Sequence, residues 1–99
     1  MMHSIFAYGT LLLAGVQETV IGRQVAGKPD RLAGYRKSTV RDGDTSYPNI
    51  VPADGEYIEG YVLEVSQEDL ARVDMYEGGL YTRAKVTLES GAEAWVYRT

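Results

Sequence analysis

Residues 66–88 read Ser66-Gln67-Glu68-Asp69-Leu70-Ala71-Arg72-Val73-Asp74-Met75-Tyr76-Glu77-Gly78-Gly79-Leu80-Tyr81-Thr82-Arg83-Ala84-Lys85-Val86-Thr87-Leu88, and the side-chain period changes halfway along. Ser66 followed three residues later by Asp69 is a capping-box variant, which opens a helix over about Gln67 to Tyr76 or Glu77. Gly78-Gly79 ends it. Beyond the glycines, Leu80, Thr82, Ala84, Val86 and Leu88 alternate with Tyr81, Arg83, Lys85 and Thr87, the period of a half-buried strand. Ser90-Gly91 supplies a turn, and Ala92 to Tyr97 pairs back as a hairpin.

Upstream of the helix, Tyr57 to Val65 is a strand with Tyr61, Leu63 and Val65 on one face and Ile58 and Val62 on the other. Asp54-Gly55 precedes it as a turn. Tyr47 to Pro52 is held extended, because each proline moves its predecessor out of the helical region. From Gly22 to Asp44, Val25, Leu32, Tyr35 and Val40 suggest short strands, punctuated by Gly27-Lys28-Pro29 and Asp42-Gly43-Asp44. Leu11 to Val16 packs, or starts a short helical turn broken at Gly15. Ser4 to Tyr8 is apolar on both faces and reads as a buried first strand. One helix of substance and roughly five or six strands give an α+β class: a small, mixed, mostly antiparallel sheet or barrel with one main flanking α-helix. Residues 1–99 are expected to form a single domain.

Composition removes many kinds of chemistry. The 99 residues contain no cysteine and one histidine, His3. Disulfides, a thiolate nucleophile and cysteine-based metal sites are excluded, and a histidine triad or multi-histidine metal site has little to work with. Acid–base chemistry near neutral pH is left to a carboxylate or lysine with a shifted pKa, or to backbone groups. The net charge of −4 argues against a nucleic-acid binder, and Arg23, Lys28, Arg31, Arg36, Lys37 and Arg41 have no aromatic stacking pattern around them. Residues 1–50 carry +2 and residues 51–99 carry −6. Nine of the ten carboxylates in the second half read as solvated surface or helix margin. The longest apolar stretch, Ile5 to Val16, is interrupted by Tyr8, Gly9, Thr10 and Gly15 and lacks a basic start, so neither a membrane span nor a signal peptide is expected. A cytoplasmic protein is the expectation.

Glu77 is the tenth carboxylate. Leu70 and Val73 define the apolar stripe of the helix, and Glu77 falls on that stripe, while Glu68 and Asp69 lie away from it and Asp74 at its margin. A charged group at an apolar phase is unfavourable unless hydrogen-bonded or useful. The C-terminal end of a helix also disfavours negative charge, and burial raises a carboxyl pKa, as a general base at neutral pH requires. Phase leaves two readings open: a half-buried base, or a helix that unwinds after Tyr76 and releases Glu77 to water. The turn at Tyr8-Gly9-Thr10-Leu11 likewise fits an ordinary end of strand or a set of backbone N–H groups that bind an anion.

Taken together, Tyr8-Gly9-Thr10-Leu11, Tyr47-Pro48, Gly60-Tyr61-Val62-Leu63-Glu64-Val65, the run from Asp74 to Arg83 and the terminal Ala94-Trp95-Val96-Tyr97 resemble the γ-glutamylcyclotransferase-like, or AIG2-like, family in order along nearly the whole chain. The resemblance implies a compact mixed β-barrel with a flanking helix and a cavity at one mouth. It also implies an enzyme that cleaves a γ-glutamyl amine or peptide intramolecularly, giving 5-oxoproline and a free amine with no cofactor and no metal. By position, Glu77 matches the family's catalytic glutamate, and Tyr8, Gly9, Thr10 and Leu11 match its substrate loop. Tyr81 is expected to line the pocket as well. Arg83 shares its strand face and is left between pocket and surface, and Tyr47 reads as packed in its extended segment with the cavity wall as alternative. The partner implied is a small γ-glutamyl molecule, not a nucleic acid or a membrane. Extensions that family members carry to close the pocket are not seen in the 99 residues, and on the resemblance an open leaving-group side with broad selectivity is expected.

Overall fold

The fold is built around a first strand that is apolar on both faces. In the computed structural model, which describes residues 2–99, β1 (Met2–Ala7) lies at the centre of a five-stranded sheet of order β2-β3-β1-β5-β4. Its neighbours are β3 (Thr45–Ser66), paired antiparallel from Met2↔Ser66 to Ala7↔Tyr61, and β5 (Glu93–Arg98), paired parallel at Ile5↔Trp95. The outer strands are β2 (Gly27–Asp42), antiparallel to β3, and β4 (Thr82–Thr87), antiparallel to β5.

Burial on each side of β1 follows from its sequence. Phe6 packs with Leu32, Ile50, Ile58, Val62 and Val96 on one face. Ile5 and Ala7 pack on the other with Leu63, Val65 and the helical residues Ile21, Leu70 and Val73. Each large aliphatic side chain buried this way contributes about 1.5–3 kcal/mol relative to exposure. The faces expected for Leu63 and Val65 against Ile58 and Val62 are those observed.

The sheet curls into a half-barrel rather than closing strand to strand. One seam joins its ends: Glu89 N–H donates to the Arg31 carbonyl at 2.8 Å, and the Ser90 hydroxyl donates to Asp30.

Two segments differ from the sequence expectation. The stretch from Gly22 to Asp44 is not a series of short strands, because β2 and β3 form one long hairpin turning at Gly43. Gly27-Lys28-Pro29 begins β2, and Asp54-Gly55 does not separate two strands. Pairing steps from Ala33↔Tyr57 to Tyr35↔Pro52, so Gly34 faces the whole of residues 53–56, with Gly34 at φ +85° and Gly55 at φ +80°. The glycines thus bend a continuous ribbon, as bulges do. Pro48 and Pro52 fall where β3 has β2 on one side and no strand on the other, where a missing donor is tolerated.

The second difference is an additional helix. After a 3-10 turn at Thr10–Leu12, α1 (Ala14–Ile21) runs through Gly15 and ends at Gly22, whose φ is +86°. Its N-cap, Leu13, provides no side-chain hydrogen bond. Tertiary contacts hold it instead: Ile21 is buried, and the buried Gln17 amide donates to the Leu11 carbonyl at 2.9 Å while accepting from Val25 N–H at 2.8 Å. The main helix, α2 (Gln67–Glu77), has the reciprocal capping box that its sequence announces, with Asp69 N–H donating to Ser66 Oγ at 3.1 Å and Ser66 N–H to Asp69 Oδ2 at 3.0 Å. It ends at Gly78, at φ +64°.

One surface assignment is overturned. Asp69, grouped with the solvated carboxylates, is only 2% exposed. It accepts from both terminal nitrogens of Arg23, at 3.2 and 2.7 Å, as well as from Ser66 N–H, and so ties the segment after α1 to the start of α2. These hydrogen bonds, the Arg23 pair foremost, hold its carboxyl well below the usual range.

Candidate functional site

A cavity of about 430 Å³ opens where β1, the turn after it, the end of α2 and the tip of the β2–β3 hairpin converge. Each wall has a local cause. At the end of β1 the chain leaves the sheet beside Gly60, where a Cβ would stand 2.6 Å from the Ala7 carbonyl oxygen and 2.7 Å from the Phe6 ring. Only glycine lets β3 and the end of β1 approach this closely. The turn that follows lies against the hairpin, with a Cβ on Gly9 placed 3.2 Å from Pro48 Cβ.

The Tyr8–Leu11 turn leaves donors unused. Leu12 N–H donates to the Gly9 carbonyl at 3.0 Å and Leu13 N–H to that of Thr10 at 2.9 Å. Among the described residues the N–H groups of Thr10 and Leu11 have no protein acceptor, as expected for the first positions of a helical turn. Gln17 fixes the turn from behind through the Leu11 carbonyl. Thr10 Oγ1 and the Tyr76 hydroxyl share a hydrogen bond of 3.0 Å, which joins the turn to α2.

Glu77 closes α2 at the opposite wall. Leu70 and Val73 of the same stripe are fully buried, and Glu77 is half-buried at the cavity, so the helix does not unwind before it. Among the described residues its carboxylate has no hydrogen-bond or ion-pair partner. Burial pushes its pKa from the ordinary 4.5 up to about 7. A carboxyl that titrates there can accept and return a proton at neutral pH.

The structure brings all six residues singled out in the sequence, Tyr8, Gly9, Thr10, Leu11, Glu77 and Tyr81, to this one cavity. Tyr47 also lines it, in place of the packed position expected from its extended segment. Arg83 does not line it: its Nε bonds Asp74 Oδ1 at 3.1 Å, and its guanidinium lies 4.2 Å from the centre of the Trp95 ring. Asp42, Tyr76 and Tyr97 line the cavity and were not singled out as site residues. Tyr97 carries no local signal, since it comes from the last strand; Asp42 arrives only because the long hairpin curls over the pocket.

Burial raises the phenol pKa of Tyr8, Tyr81 and Tyr97, and the charge of Glu77 adds to the rise in each. Their protons are all committed: Tyr8 donates to the Tyr97 carbonyl at 2.6 Å, Tyr81 to the Pro48 carbonyl at 2.5 Å, and Tyr97 to Asp74 Oδ1 at 2.5 Å. Among the described residues no three His, Cys, Asp or Glu side chains are grouped as metal ligands would be, and no helix is long and apolar enough to cross a membrane.

A curled five-stranded sheet whose open end pairs a free carboxylate with unsatisfied backbone donors defines a class of small pocket-bearing α+β proteins. Within it, residues 5–99 match the family model described as gamma-glutamyl cyclotransferase, AIG2-like, and the chain belongs to that family. AIG2-like protein D of Arabidopsis thaliana is 28% identical over 86 residues, covering 86% of this chain and 55% of that protein. The chain therefore spans about half the length of this curated relative. A solution structure from Arabidopsis thaliana superposes with a TM-score of 0.83 at 27% identity, covering 99% of this chain and 62% of its own. A solved gamma-glutamyl cyclotransferase shares the fold with a TM-score of 0.77 at 21% identity, covering 100% of this chain and 67% of that one.

Proposed function

We propose that the protein is a γ-glutamylcyclotransferase that converts a small γ-glutamyl amine or peptide to 5-oxoproline and a free amine. The observation that carries this reading is the half-buried, unpartnered Glu77 carboxylate, with its pKa pushed up to about 7, across one cavity from the free N–H groups of Thr10 and Leu11.

In this reading the α-amino nitrogen of the bound γ-glutamyl group attacks its own γ-carbonyl carbon. Glu77 takes one proton from that nitrogen as the new C–N bond forms. It hands the proton to the leaving nitrogen as the old C–N bond breaks. No water, metal or cofactor enters the balance. The Thr10 and Leu11 amides, with the turn from Tyr8 through Gly9, hold the substrate carboxylate and so orient the ring closure. Tyr81 forms the wall beside Glu77. The chemistry asks for orientation and a single proton shuttle, because nucleophile and electrophile belong to one molecule.

The test is a panel of γ-glutamyl amines and dipeptides incubated with the wild-type protein and with Glu77→Gln, with 5-oxoproline and free amine both quantified. Equimolar release by the wild type, reduced about 100-fold or more in the variant, is the expected result. Binding of γ-glutamyl compounds with no release from any of them would make the protein a small-ligand-binding module on the same fold.

A further inference from the structure

The cavity has no positive side chain of its own. Among the described residues its lining holds two carboxylates, Glu77 and Asp42, and no lysine, arginine or histidine. Its groups for holding an anion are backbone donors, the N–H groups of Thr10 and Leu11, which the proposed reaction assigns to the carboxylate of the glutamyl part. The rest of the lining has to receive the leaving amine, and there it is anionic and aromatic. Asp42 and Tyr47 come from the β2–β3 hairpin, Tyr76 from α2 and Tyr81 from the segment before β4.

The pairing register explains why the hairpin presents this character. Across its two strands Val40 is opposite Tyr47 and Asp42 is opposite Thr45. Side chains alternate along each strand, so Asp42 and Tyr47 stand on one face as diagonal neighbours, about 7–8 Å apart between Cα atoms. Arg41 and Lys37, the cations nearest the tip on β2, fall at the intervening positions and belong to the other face. Asp42 takes part in no ion pair among the described residues. A free carboxylate beside an aromatic ring attracts an ammonium ion through its charge and the ring's quadrupole. A carboxylate brought to the same wall would meet two like charges and no cation.

We propose that Asp42, with Tyr47 beside it, is a specificity-determining residue that binds a second, cationic group on the leaving amine, so that the preferred substrates are γ-glutamyl conjugates of diamines rather than of amines that end in a carboxylate. The inference rests on the proposed function for where the glutamyl part lies. The charge of the cavity wall, which carries the preference, belongs to the fold.

The experiment compares γ-glutamyl conjugates of matched chain length: with butane-1,4-diamine, which ends in an ammonium; with n-pentylamine, which ends neutral; and with 5-aminopentanoate, which ends in a carboxylate. kcat/KM for 5-oxoproline release is measured for each. The wild type is expected to use the diamine conjugate about tenfold better than the neutral one, and the carboxylate conjugate worst. In Asp42→Asn the preference for the diamine over the neutral conjugate is expected to fall to about twofold. In Asp42→Lys the order of the diamine and carboxylate conjugates is expected to reverse. Only ratios between conjugates are read, so a general loss of activity in a variant leaves the comparison intact. Asp44→Asn removes the same charge from the same hairpin tip at a residue that does not line the cavity, and is expected to keep the wild-type ratios. A wild type that prefers the neutral or the carboxylate conjugate, a preference unchanged in Asp42→Asn, or one that falls equally in Asp44→Asn overturns the proposal. If none of the conjugates is turned over, the proposed function fails, and their dissociation constants, measured by calorimetry on the same proteins, decide this proposal by the same order. Absence of binding by all of them overturns it as well.

Discussion

Glu77→Gln is expected to stabilise the protein at alkaline pH and leave it unchanged in acid. The Glu77 pKa rises on folding from 4.5 to about 7 because burial disfavours the charged form. The folded chain then binds this proton more tightly than the unfolded chain, so the group's contribution to stability is fully present below pH 4.5 and is lost as the pH rises through about 7. At 1.36 kcal/mol per pH unit the whole shift corresponds to about 3 kcal/mol. The carboxylate is only half-buried, and solvent screening reduces the expected effect to about 1–2 kcal/mol. For a domain of this size that corresponds to a Tm higher by about 5–10 °C in the variant at pH 8, with no difference at pH 4. Thermal unfolding of both proteins followed by circular dichroism across that range is the assay. A variant less stable than the wild type at pH 8, or stabilised equally at pH 4 and pH 8, would refute the reasoning. A loss of stability of this kind at neutral pH is the trade-off expected of the catalytic role proposed for Glu77.

Other outcomes follow from contacts at and behind the site. Asp69→Ala removes the capping box and the buried partner of Arg23, and is expected to lower unfolding free energy in urea by about 3 kcal/mol at neutral pH. Because the Asp69 pKa is depressed on folding, that contribution is present above the ordinary carboxylate range and fades as the pH falls through the lowered value, so the difference between the proteins should narrow in strong acid. Gly60→Ala drives a methyl group into the Ala7 carbonyl and Phe6 ring and is expected to destabilise by about 1–3 kcal/mol, measured by the same titration. Gln17→Leu breaks the bond to the Leu11 carbonyl; binding of γ-glutamyl ligands, measured by calorimetry, is expected to weaken about tenfold, a larger effect than on the Glu77 titration midpoint.

The parts of this fold written in local patterns were legible from the sequence, and the parts written in long-range contacts were not. Ser4 to Tyr8, apolar on both sides, announced a strand buried on both faces, and Phe6 and Ile5 do enter opposite clusters. Ser66 and Asp69 announced the start of α2, and Gly78 its end. The helical phase of Glu77 placed it between cavity and solvent, and the packing of Leu70 and Val73 decides for the cavity. By contrast α1 contains Gly15 and the β-branched Val16, Thr19, Val20 and Ile21, with no capping side chain, so propensity argues against it and the tertiary bonds of Gln17 prevail. The glycines at 34 and 55 signal a break in the chain equally well whether it turns or bulges, and only the pairing of Tyr35 with Pro52 shows that the ribbon continues. Asp69 lay off the apolar stripe and was read as solvated, because its partner Arg23 is 46 residues away. For the same reason Asp42 and Tyr97 could not be connected with the pocket, which forms only when the hairpin tip and the last strand meet the turn at Tyr8.

The pH dependence of kcat/KM for 5-oxoproline release tests whether one carboxylate with a near-neutral pKa carries the proposed chemistry. Activity is expected to rise through a single ionisation near pH 7, matching the Glu77 pKa of about 7, and Glu77→Gln to lose both the rise and about 100-fold or more of the rate. An acid limb far from that value, or a Glu77→Gln variant that retains wild-type turnover, would contradict it.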